Sequence, residues 1–217
     1  MKTVFITGAT GYIGKRLTKQ LLQRGHRVIA LVRKGSEHKV VTGAEIVVAD
    51  PFDPNSFQSS IPKDSVFVQL PGVSHPSPKK AKQFKEIDLR SVKASADAAA
   101  VAEASHFIYI SVAMAPSKIM AAYQAIRQEG EEYSKSKKLN CTFIRPWYVL
   151  GPGHYWPVLL LPLYGIATLV PPLKQKAKSM ALVTIRQILR TLIIAVETDP
   201  LPLRIIEIRQ IRNTLLK

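Results

Sequence analysis

The sequence predicts an α/β domain built on a doubly wound parallel sheet, with a small cap region at its C-terminal end. Three observations predict it. Short, nearly continuous apolar runs alternate with helix-patterned segments through the first two thirds of the 217 residues; glycines at 8, 11 and 14 sit where the first strand gives way to the first helix; and from Gly151 onward the pattern turns proline-punctuated and apolar. Apolar residues make up 47% of the chain and charged residues 21%, enough at this length to bury a core without disulfides or a structural metal.

Six strands are expected, at residues 3–6, 27–32, 45–49, 66–70, 107–110 and 142–145, each apolar enough to be buried on both faces. Between the first two, Ile13, Leu17, Leu21 and Leu22 recur at helical spacing and Gly25 supplies a stop. Residues 79–104 and 117–138 carry helix formers and read as crossover helices. The pattern divides the chain into a nucleotide-binding part, 1–150, and a substrate or cap region, 151–217, integrated with the same domain. In the latter, the apolar run 158–170 is interrupted by Pro162 and Gly165 and falls short of the ~20 residues that span a bilayer, so it reads as a buried or substrate-facing helix. Residues 182–196 read as an amphipathic helix and 203–208 as a last strand.

Lys and Arg outnumber Asp and Glu by 31 to 15, a formal charge of +16 that attracts phosphates, nucleic acid or anionic lipid. The basic clusters at 79–82 and 174–178 accompany no nucleic-acid module, so no nucleic-acid partner is expected; a solvated basic surface and a peripheral membrane contact both stay open. Cys141 is the lone cysteine, which excludes an intramolecular disulfide and fits a reducing compartment. Histidines 26, 38, 75, 106 and 154 show no ligand spacing, and no metal is expected. No export segment precedes the first strand, so a cytoplasmic location is expected.

The turn Thr7-Gly8-Ala9-Thr10-Gly11-Tyr12-Ile13-Gly14 carries the chemistry. A pyrophosphate needs backbone N–H groups at a helix N-terminus with no side chain in the way, and glycines between a buried strand and an amphipathic helix provide that. Gly8 allows the tight turn, Gly11 the approach of phosphate and Gly14 the packing of helix on sheet, while Thr7 and Thr10 can add hydroxyl hydrogen bonds. This predicts a Rossmann-type dinucleotide site, with Tyr12 and Ile13 in its wall. After the second strand an NAD-selective site carries an acid; here Leu31-Val32-Arg33-Lys34 offers two cations, which favours NADP(H) over NAD(H), unless both are plain surface cations.

With these motifs the sequence resembles the short-chain dehydrogenase/reductase superfamily, in its atypical branch near the NmrA-like and NAD-dependent epimerase/dehydratase proteins. The likeness covers most of the chain and rests on the glycine turn, on Asp50 after the third strand, and on Arg145-Pro146-Trp147-Tyr148-Val149-Leu150-Gly151-Pro152-Gly153 after the sixth. It implies that Asp50 approaches the adenine, that Leu70, Pro71 and Gly72 line the cofactor, and that Pro146, Trp147, Tyr148 and Val149 pack near the nicotinamide. Asp50 before Pro51 is also a turn initiator.

The resemblance further implies a catalytic Ser, Tyr and Lys, for which Ser111, Tyr123 and Arg127 stand here, the arginine replacing the family's lysine. Tyr123 and Arg127 lie one helical turn apart and share a face. Tyr133 and Lys137 form a second pair with the family spacing, and Tyr123 is preferred for its distance from the sixth strand. The activity implied is oxidation or reduction of a small, partly apolar carbonyl or alcohol; the NmrA-like likeness also allows a non-catalytic cofactor sensor or an assembly protein.

Overall fold

The computed structural model describes residues 1–73, 77, 80–117, 120–153, 155 and 181–214. His75, His154, Trp156, the apolar run 158–170 and the basic cluster 174–178 lie outside the described residues.

Strands β1 (Thr3–Thr7), β2 (Arg27–Val32), β3 (Glu45–Val48), β4 (Val66–Gln69), β5 (His106–Ile110), β6 (Cys141–Arg145) and β9 (Leu203–Glu207) form one parallel sheet in the order β3-β2-β1-β4-β5-β6-β9. A two-stranded parallel ladder, β7 (Val149–Leu150) with β8 (Val183–Thr184), stands apart from it. The six expected strands are present with ends shifted by one residue at most, and the tail strand is the sheet's seventh. β3 departs from the expectation of burial on both faces: as the edge strand it leaves Ile46 and Val48 nearly half exposed.

Helices cover both faces. On one, α1 (Tyr12–Gln23), α5 (Ile185–Glu197) and α6 (Ile208–Asn213) bury Leu17, Leu21, Ile188, Leu192 and Ile211 against Val4, Ile6, Val68 and Ile108. The amphipathic pattern of α1 dictates this, since its apolar residues fall on one stripe. On the other face lie α3 (Arg90–Val101) and α4 (Ala121–Ser136), over a column of stacked rings from Phe57 through Phe5 and Phe67 to Phe107. Alanines at 96, 98 and 99 let α3 sit close to the strands.

The long helix expected over 79–104 is three pieces in series: α2 (Ala81–Gln83), a π-helical stretch (Phe84–Leu89) and α3. The π stretch turns Phe84, Asp88 and Leu89 inward. Because the chain runs outward from β1 through β2 to β3 and then returns to β4 on β1's other side, a crevice opens between the C-terminal ends of β1 and β4.

At the opposite end of the sheet, His106 is fully buried with Nε2 2.7 Å from Thr142 Oγ1. Burial, with the charges of Arg204 and Lys2 adding to it, pulls its pKa from 6.5 down to about 4. A histidine buried neutral contributes stability that is complete above the unfolded value and is lost as pH falls toward the folded one. Replacing it by glutamine should therefore remove an acid destabilisation of about 3 kcal/mol that develops between pH 6.5 and about 4. Urea unfolding of both proteins across that window checks this; parallel pH profiles would contradict it.

Candidate functional site

A cleft of about 690 Å³ occupies the crevice at the C-terminal ends of β1, β2, β4, β5 and β6. Its floor is the glycine turn. Gly8 adopts φ +73°, a conformation that L side chains rarely take, and a Cβ there would meet Pro71 N at 3.0 Å. Gly14 is closed to a side chain for another reason than the helix-on-sheet packing the sequence suggested: its Cβ would collide with Gly8 O and lie 2.7 Å from Ala9 Cα, the turn's own backbone.

Helix α1 starts at Gly11 with no side-chain cap and no acid in its first turn, and its first backbone bond runs from Lys15 N to Gly11 O. The amides of Tyr12, Ile13 and Gly14 precede that bond and open into the cleft, the arrangement that receives a phosphate. A cradle that a Cβ would fill, at an uncapped helix start, fits a dinucleotide pyrophosphate.

Thr7 has a different task from the one expected of it. Its hydroxyl donates to Gln69 Oε1 at 2.5 Å; Ser95 Oγ also donates to Gln69 Oε1, and Gln69 Nε2 donates to Ser91 Oγ. This buried ribbon ties β1, β4 and α3 together directly below the turn.

Thr10, Gly11, Tyr12, Ile13, Arg33, Leu70, Pro71, Gly72, Pro146, Trp147, Tyr148 and Val149 all line the cleft, as do Ser111, Tyr123 and Arg127. Two expected cofactor residues do not. Lys34 is exposed beyond the end of β2, and Asp50 uses its carboxylate to accept from Phe52 N at 2.9 Å, an Asx turn that leaves Pro51 and Phe52 in the wall.

At the far end of the cleft Arg127 is buried and four of its five N–H donors are engaged. Nε donates to Tyr123 Oη at 3.0 Å, Nη1 to Tyr109 Oη at 3.1 Å and to Ile110 O at 3.0 Å, and Nη2 pairs with Asp88 Oδ1 at 2.5 Å. Asp88, with no exposure at all, also accepts from Val73 N. Gly72 covers the pair: a Cβ there would strike Arg127 Nη2 and lie 3.2 Å from Asp88 Oδ1. Tyr133 and Lys137 stand elsewhere, both bonded to Asp97 where α4 packs on α3.

Burial raises the Tyr123 phenol above its ordinary pKa; Arg127 opposes that rise and Asp88 reinforces it, so the hydroxyl keeps its proton at neutral pH. Asp88 is likewise raised by burial, against the pull of Arg127 and of the Val73 amide. Ser111 Oγ, with 4% of the residue exposed, and Trp147 Nε1 have no hydrogen-bond partner among the described residues. Buried polar atoms of this kind, on the wall of a cleft, call for a partner from a ligand.

Asp88 escaped the sequence reading although a signal existed. It falls in helical register with Val92, Ala96 and Ala99, and a carboxylate on a buried stripe demands a counter-charge. The π stretch that places it under Gly72 has no comparable sequence mark.

Fold and cleft together define a nucleotide-cofactor-binding protein. The chain belongs to the NAD(P)H-binding family, which it matches over residues 8–152. It is similar to the ceramide reductase of Caulobacter vibrioides (strain NA1000 / CB15N), 28% identical over 177 residues that cover 81% of this chain and 55% of that protein. It is also similar to the photosystem II assembly factor Ycf39 of Guillardia theta, 26% identical over 142 residues covering 64% and 44%. The chain thus spans about half the length of these curated relatives.

Among solved structures, the UDP-N-acetylglucosamine 4-epimerase from Bacillus cereus aligns with a TM-score of 0.66 at 16% identity, over 92% of this chain and 76% of that one. The Bordetella bronchiseptica enzyme WbmH in complex with NAD⁺ gives 0.66 at 19% identity, over 91% and 72%. At these identities the likeness shows the fold alone.

Removing the charge of Asp88 while keeping its shape should leave Arg127 buried without compensation. Asp88→Asn is expected to lower the unfolding free energy by about 3–5 kcal/mol, and the paired change Asp88→Leu with Arg127→Met to cost much less. Denaturant midpoints of the two variants decide it; equal losses would show that the pair is not coupled.

Proposed function

We propose that the chain is an NADP(H)-dependent oxidoreductase of the atypical short-chain type, which reduces a small, partly apolar carbonyl compound or oxidises the corresponding alcohol. The observation that carries the reading is that one cleft joins the glycine turn to a protonated tyrosine and a serine hydroxyl that has no partner among the described residues. The likeness to the Caulobacter reductase supports reduction as the chemistry.

A nicotinamide dinucleotide bound in the cleft supplies or accepts the hydride. Gly8, Gly11 and the first-turn amides of α1 would hold its pyrophosphate, and Arg33, exposed at the cleft edge, would hold the phosphate that distinguishes NADP(H). Ser111 Oγ donates to the carbonyl oxygen of the substrate and orients it. Tyr123 Oη delivers its proton to that oxygen as negative charge develops there. Arg127 keeps Tyr123 in place through the Nε bond at 3.0 Å and, held by Asp88, stays fixed while the proton moves. Val112, Met120 and Trp147 keep the surroundings of the oxygen apolar and exclude water.

The hold on Arg127 favours a second reading, a non-catalytic cofactor-binding sensor or assembly protein, because a guanidinium held by four partners has little freedom left to bridge tyrosine and ribose as lysine does. The likeness to Ycf39 points the same way. Turnover separates the two: NADPH consumption with a panel of ketones and aldehydes supports the enzyme, and tight NADPH binding with no turnover supports the sensor.

If the chain is an enzyme, Tyr123→Phe should reduce kcat by about a hundredfold or more while NADPH affinity stays within about twofold of the wild type. Unchanged turnover in this variant, or its loss in Tyr133→Phe instead, would remove Tyr123 from the chemistry. Arg33→Ala should weaken NADPH by roughly tenfold or more and leave NADH nearly unaffected, as titration by intrinsic fluorescence would show.

A further inference from the structure

The two helix layers differ in charge to a degree that the total of +16 conceals. On one side of the sheet, the helical stretch from Ala81 to Gln83 through Leu89, α3 and α4 together carry six Lys or Arg and six Asp or Glu. They neutralise one another in contact: Lys93 with Glu129 at 2.7 Å, Lys135 with Glu132 at 2.7 Å, Lys82 with Glu86 at 3.6 Å, and Arg127 with Asp88.

The other layer is cationic throughout. Helix α1 carries Lys15, Arg16 and Lys19, α5 carries Arg186 and Arg190, and α6 carries Arg209 and Arg212; the single acid in these three helices is Glu197. Glu197 is already taken by the Arg24 fork at 2.6 and 2.8 Å and by His26, contacts that pull its pKa down to about 2. None of the seven cations makes an ion pair among the described residues, and all are exposed except Arg16 and Arg190, which are half-buried.

The three helices lie side by side, so these charges share one surface. Leu17 and Leu21 of α1 pack into the same core as Ile188 and Leu192 of α5, and Gln187 Nε2 of α5 donates to Arg212 O of α6 at 3.2 Å. Their apolar stripes face the sheet, and the charged sides face outward.

We propose that the outer face of α1, α5 and α6 docks on an anionic lipid surface. Phosphate-bearing headgroups are the occupant that this chemistry fits best. A protein partner would need a buried apolar anchor, and among the described residues the large apolar side chains that are exposed, from Met1, Ile46 and Val48 to Leu201 and Leu203, lie outside these helices. Nucleic acid recognition would use a projecting helix or an aromatic platform, whereas α1 and α5 lie flat on the sheet. A fluid sheet of like charges needs neither shape complementarity nor an anchor, only a broad surface of one sign.

The test is co-sedimentation of the full chain with vesicles of phosphatidylcholine alone and of phosphatidylcholine mixed with phosphatidylglycerol. Binding is expected to the mixed vesicles only and to fall as salt is added. Arg186→Glu with Arg209→Glu should weaken it by more than about tenfold. Lys63→Glu with Lys135→Glu, which alters net charge by the same amount at residues paired to Glu103 and Glu132, should change it by less than about twofold. NADPH titration reports that each protein is folded. No binding to the mixed vesicles, equal losses in the two double variants, or binding to duplex DNA without binding to vesicles would each overturn the proposal.

Discussion

The constraint on which the rest of the structure depends is a short length of backbone that tolerates no side chains. Between β1 and α1 the chain passes so close to itself that a methyl group at Gly14 would overlap Gly8 O, and the loop after β4 presses against Gly8 from the other side. That closeness keeps side chains away from the amides at the start of α1. It also fixes the distance between β1 and β4, where the order of the sheet reverses and a cleft must open. The buried bonds from Thr7 through Gln69 to Ser91 and Ser95 hold this geometry from beneath, so the anion site is set by covalent and hydrogen-bonded connections on both sides.

A second close approach organises the other end of the cleft. Gly72 covers the Arg127 and Asp88 pair, and the pair in turn fixes Tyr123 and Tyr109. An arginine at this place brings more than a new shape: a buried guanidinium has five donors to place, and here a carboxylate, two phenols and a backbone carbonyl take four of them. The π-helical stretch is what brings the carboxylate within reach. Glycine at 72 therefore serves the charge pair.

Most of the sheet was legible in the sequence because buried parallel strands are continuous apolar runs, and their helices announce themselves by period and by glycine stops. The edge strand β3 was misjudged for the same reason: Glu45-Ile46-Val47-Val48 reads as interior, and only the strand order reveals that one side has no neighbour. Gly8, Gly11, Gly72 and Pro146, which spacing and resemblance put at the cofactor, line the cleft. Lys34 and Asp50 do not line it, since a cation past a strand end and an acid before a proline have local uses that compete with a ligand. Helical register marks Asp88 as buried, but its partner stands 39 positions away and is named by no local pattern.

The two-residue ladder of β7 and β8 has an importance beyond its size. It pins Val149 beside Val183 and Leu150 beside Thr184, so two points far apart along the chain become neighbours. The entropy of joining two points grows only slowly with the number of residues between them, so a join this distant costs little more than a near one. Two residues of pairing thus couple the wall of the cleft at Val149 to the helix that starts at Ile185.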